Sequence, residues 1–166
     1  MKTIILISLC LLAYTQMFSQ NPEDWQSIEF NSKEDYEANE GKILECANFI
    51  LSVPAKASDP ARQSALGALS KWMSGTPDYQ FVIDESIGKL MEKNEAVLSI
   101  YMAAMSKYAL ENNDHVPTAE EMEYNAFDQM LAYSKDSGNN VPMTKELKKA
   151  IQARDKGNLK AYLNSN

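Results

Sequence analysis

"EAVLSIYMAAMSKYALEN", residues 95–112, decides how this chain folds. Only Glu95, Lys107 and Glu111 carry charge, and apolar side chains fall on most sides of the helix the segment would form. A helix that is apolar nearly all round belongs inside a bundle, not on its surface. The segment therefore predicts a central, largely buried helix. Its Met and Tyr residues are expected to fill core, Met being well suited to irregular gaps.

The neighbours on both sides read as amphipathic helices that would pack around it. Upstream, Ser32 with Asp35 three residues on has the form of a capping box. Ile43, Leu44, Ala47, Ile50 and Leu51 follow at i, i+1, i+4, i+7 and i+8, one apolar stripe ending at Pro54. In "ASDPARQ" (57–63), Ser58 or Asp59 can cap and Pro60 suits the first turn, where its missing N–H costs nothing. Ala65, Leu66, Leu69, Trp72 and Met73 give the face of that second helix, which Gly75 and Pro77 stop. Downstream, Thr118 with Glu121 and then Thr144 mark two more helix starts. Met122, Ala126, Phe127, Met130 and Leu131 line one helix, and Leu147, Ala150 and Ile151 the next. The three Val-Pro pairs fall at helix junctions, because Pro disfavours helical backbone in the residue before it.

One stretch departs from this pattern. In "KWMSGTPDYQFVIDES" (71–86), Tyr79, Phe81 and Ile83 alternate with Gln80, Val82 and Asp84. Alternation of this kind places the three apolar residues on one side of an extended segment. The expectation is a packing connector over 78–83 that lays them in the groove beside Trp72 and the central helix, with Asp84 capping the next helix. The fold class is therefore all-α, a single compact domain of six or seven helices with that short extended connector.

The first residues stand apart. "MKTIILISLCLLAYTQMFSQ" has one Lys near its start, a short apolar run and then small and polar residues, the layout of a secretory signal peptide. The run is about 10 residues, where a bilayer span needs about 20. Residues 1–19 are expected to be removed near Ser19/Gln20. Residues 20–31 would form a loosely ordered arm, and 32–166 the helical domain. The location implied is exported, periplasmic or secreted, with no membrane span in the mature chain. Cleavage would leave one cysteine, Cys46, set among apolar residues and read as a small buried hydrophobe.

Composition excludes several chemistries. Sixteen basic residues stand against 23 acidic ones, a formal charge of −7, so phosphate backbones would be repelled and nucleic acid is not an expected partner. A zinc site wants three or four N or S ligands, and the chain has one His, His115. No Gly-rich phosphate loop is present, so neither metal nor cofactor is expected. Ser86 and Lys89 match S-x-x-K, but the companion S-D-N and K-T-G elements are absent. No glycine-flanked serine elbow accompanies His115. An enzyme is thus not the expected reading.

The run from "ILECANFILSVP" (43–54) through Arg62, Ala65 and "KWMSGTPDYQFVI" (71–83) to "LSIYMAAMSKYALEN" (98–112) resembles an uncharacterised family of small exported all-helical proteins of Bacteroidota. The resemblance implies export and a helical body, and brings no catalytic residue with it. The function expected is a non-enzymatic protein-interaction or binding module, its partner a protein or a small molecule. The alternative is a small-ligand binder whose pocket between helices is lined by Trp72, Tyr79, Phe81, Tyr101 and Tyr108.

Overall fold

The computed structural model describes residues 25–83, 85–92, 94–112 and 115–165, with the side chain of Ser86 left out. The expected signal peptide with its cut near Ser19/Gln20, and the capping role expected of Asp84, lie outside the described residues. Eight α-helices occur among those described: α1 (Lys33–Ala38), α2 (Glu40–Ser52), α3 (Pro60–Gly75), α4 (Glu85–Met91), α5 (Glu95–Glu111), α6 (Ala119–Lys135), α7 (Lys145–Asp155) and α8 (Leu159–Leu163). A single 3₁₀ turn, Ser137–Asn139, follows α6. The fold is all-α, and no helix among the described residues is long and apolar enough to cross a membrane.

The helix starts follow local chemistry. The Asp35 carboxylate accepts from the backbone N–H of Asn31 and Ser32, both at 2.8 Å. Asp59 accepts from the N–H groups of Ala61 and Arg62, with Pro60 at the first helical position. Thr118 and Glu121 bond reciprocally, and Thr144 accepts from Leu147 N–H at 3.1 Å. These contacts satisfy donors that the first turn of a helix leaves unpaired. The helix read from the Ser32 capping box through the stripe before Pro54 divides at Asn39, which leaves Lys33–Ala38 as the separate short helix α1. That division, with the short closing helix α8, raises the number above the six or seven expected.

Helix α5 lies at the centre and packs most extensively on α6 and α2. Its two sides serve two apolar clusters. Val97, Ile100, Tyr101, Ala104 and Met105 join one, with Phe127, Met130 and Leu131 of α6 and Leu147 and Ile151 of α7. Ala103 and Leu110 join the other, with Ile43, Cys46 and Ile50 of α2 and Ala65, Leu69 and Trp72 of α3. Trp25 and Ile28 are buried in the second cluster, and Trp25 sits 5.0 Å from the ring of Phe49. That end of the residues expected to form an arm is therefore packed on the body. Residues 79–83 contain no helix or strand and run between α3 and α4.

Candidate functional site

The aromatic residues expected to line a pocket are not gathered in one place: Trp72 and Tyr79 pack in one cluster, Tyr101 in the other, and Phe81 against both. Trp72 is fully buried, its ring centroid 5.5 Å from both Tyr79 and Phe81. Tyr79 and Phe81 lie 6.3 Å apart and are half-buried. Ile83, expected on the same side, is 54% exposed because the connector has left Trp72 by that point. Tyr101 packs in the other cluster at 4.9 Å from Phe127. Tyr108, two turns along the same helix, is half-buried. None of the five lines any of the surface cavities at α6–α8, at residues 28–36, at α7–α8, at α4–α7 or at α3–α5.

Other candidate groups stand apart from one another. Lys89 lies 3.5 Å from Glu85 in an exposed ion pair, one turn along α4. His115 is exposed, 3.9 Å from Glu121. Among the described residues no group of three or more His, Cys, Asp or Glu could hold a metal ion. Cys46 is fully buried, and that burial, with Glu45 nearby, pushes its thiol up to about 12. Such a thiol is not a nucleophile at neutral pH.

The polar feature with the most built around it is Arg62, only 5% exposed on α3. Its position follows from the helix period: Arg62, Ala65, Leu69 and Trp72 share one face. That face meets the C-terminal end of α2, whose last four carbonyls have no partner within their own helix. Arg62 Nη1 donates to the carbonyl of Ile50 at 2.6 Å, and Nη2 donates to Ser99 Oγ of α5 at 3.1 Å. Ser99 in turn donates to the carbonyl of Ala96 at 2.9 Å. The Tyr133 hydroxyl of α6 donates to the carbonyl of Val53 at 2.5 Å, and Ser52 donates to Phe49. Side chains of two other helices, α3 and α6, therefore cap the end of α2, and Ser99 of α5 holds the arginine that does so.

A cation at a helix C-terminus is favoured by the helix dipole. Even so, burial lowers the Arg62 pKa, with the neighbouring Tyr133 and Asp59 opposing that shift. The guanidinium stays charged. Among the described residues no carboxylate pairs with it within 4.0 Å. Arg154 shows the contrast, holding both oxygens of Asp128 at 2.8 and 3.0 Å on the surface.

Arg62 also lines a cavity of about 220 Å³ between the α2–α3 loop and the start of α5. Ala55, Ala57, Leu66 and Ala96 make its apolar wall, and Gln63 and Ser99 add polar edges. Lys56 and Glu95, both exposed, stand on it with opposite charge. A larger open groove of about 580 Å³ runs between α6 and α8, but Lys160 and Glu120 already pair across it at 2.8 Å. The cavity at Arg62 thus joins a buried positive charge to an apolar wall, which suits it to hold a small anion. Arg62 is absent from the residues expected to form a site. Its signal was the placement of one cation on an otherwise apolar helix face. Comparison of the chain with family models, with curated proteins and with solved structures finds no match.

Proposed function

We infer that this chain is an exported, non-enzymatic binding protein whose site is the Arg62 cavity. One observation carries the reading: Arg62, 5% exposed and without a carboxylate partner among the described residues, lines an open cavity. A buried charge is costly unless it is paired. The carbonyl of Ile50 and the hydroxyl of Ser99 offset part of that cost with partial charges, and an anionic ligand would complete the pairing. Export rests on the apolar leader that ends near Ser19/Gln20.

The test is a thermal-shift screen of matched anionic, neutral and cationic small molecules on the purified chain. A ligand that binds only the folded state raises the midpoint in proportion to its concentration over Kd. Anions should raise it and their neutral counterparts should not. A screen in which no class shifts the midpoint refutes the binding reading. Export is tested by expression in a bacterial host. An exported protein whose amino terminus is Gln20, read by mass spectrometry, is the expected result.

A second reading, a protein-interaction module, is favoured by adjacent Val82 and Ile83, which are 45% and 54% exposed on the connector. Substituting both by Ser should leave the anion response unchanged and weaken any protein partner's hold. A partner that binds the double variant as well as the parent rules this surface out.

A further inference from the structure

Resting on the Arg62 cavity as the binding site, we propose that its ligand is a small aliphatic monocarboxylate. Charge sets the head group. A guanidinium offers five N–H donors in a planar fork that matches a carboxylate with two parallel hydrogen bonds. Two of those donors are committed, one to Ile50 and one to Ser99. The Tyr133 hydroxyl engages the guanidinium as well, so an anion on the cavity side would take the donors that remain.

Size and lining set the tail. The cavity of about 220 Å³ equals the volume of roughly seven water molecules at ~30 Å³ each. That accommodates a carboxylate with a few carbons behind it and excludes a large ligand. Ala55, Leu66 and Ala96 present hydrocarbon to such a tail. A phosphate dianion fits less well. It would bring two charges to one buried cation, with Glu95 as a further negative charge on the cavity wall and no apolar group for the wall to meet. A neutral molecule of the same shape would leave the guanidinium unpaired.

The experiment is calorimetric titration of the full chain with sodium butyrate, butyramide and sodium phosphate at fixed ionic strength. It is repeated with Ala96→Leu, which fills the cavity with a good helix former and leaves the Arg62 hydrogen bonds in place. Ala57→Phe, on an exposed wall position, serves the same purpose if Ala96→Leu fails to give a cooperative unfolding transition. Butyrate should bind saturably, at least about tenfold tighter than butyramide or phosphate, as a charge-assisted contact requires. The filled variant should lose that binding. Butyramide or phosphate binding as tightly as butyrate, and lost in the filled variant, overturns the carboxylate and leaves the cavity as a site. Butyrate binding that the filled variant retains overturns the placement. No saturable binding by any of the three overturns the carboxylate proposal, while the wider screen decides the binding reading independently.

Discussion

Replacing Arg62 by Met keeps the length and much of the packing of the side chain and removes every donor. Two charge-assisted hydrogen bonds disappear, to Ile50 at 2.6 Å and to Ser99 at 3.1 Å. Bonds of this kind contribute about 1.5–3 kcal/mol each, and the Ile50 carbonyl left without its donor costs about 1–3 kcal/mol more. Against this, the variant no longer buries a charge, which returns several kcal/mol of desolvation. Serine 99 keeps its own bond to Ala96, so one side of the site survives. The balance is a loss of about 2–4 kcal/mol, a large share of a typical stability of about 5–15 kcal/mol. The assay is urea unfolding followed by circular dichroism. With a denaturant slope of about 2 kcal/mol/M, the midpoint should fall by about 1–2 M at an unchanged slope. An Arg62→Lys variant, which keeps the charge without the fork, should fall between parent and Met. A midpoint that stays within about 0.3 M of the parent, or rises, would refute the view that Arg62 secures the end of α2.

Three further outcomes follow from the geometry. Cys46, with its thiol raised to about 12 in the core, should resist a disulfide reagent at pH 8 in a Cys10→Ser background and react at once in urea; rapid labelling of the native protein would contradict its burial. Glu121, held below its ordinary value of 4.5 by the backbone and hydroxyl of Thr118, stabilises the fold above that value and loses the effect as pH falls through the lowered one. Unfolding midpoints of parent and Glu121→Gln should therefore differ at pH 7 and converge below pH 4.5, and a gap that widens in acid would reverse the sign. Gly157 closes α7 at φ 71°, so Gly157→Ala should cost about 1–2 kcal/mol, read as a lowered thermal midpoint.

Helix positions were legible because their signals are local. Asp59 with Pro60, Thr118 with Glu121, and Thr144 each bond within three residues, so spacing alone locates the start. The central place of residues 95–111 was legible for a similar reason, as no side of that helix is polar enough to face water for its whole length. The pocket was not legible. Period 3.6 tells which residues of a helix share a face, and not which helix lies across from them. Tyr101 therefore read as a companion of Trp72, and it packs on Phe127 instead. Arg62 shows the same limit from the other side. Its place on an apolar face was visible, but its partners stand 12 and 37 residues away and are known only once α2, α3 and α5 converge.

The two apolar clusters meet at more than α5. Leu51, Met73, Phe81 and Met102 each pack against both. A chain with two separate cores could lose one and keep the other. Here the shared helix and these four side chains make the loss of either cluster strip contacts from the other. Opening should therefore be all-or-none, without a half-folded state that exposes one core. In native-state hydrogen exchange, the amides of α5 are expected to open only with global unfolding, reporting the same free energy as those buried in α2 and α6. The extended connector, which supplies Phe81 to both sides, then acts as a coupling element: loosening it would lower the cooperativity of the whole protein before it uncovered any one helix.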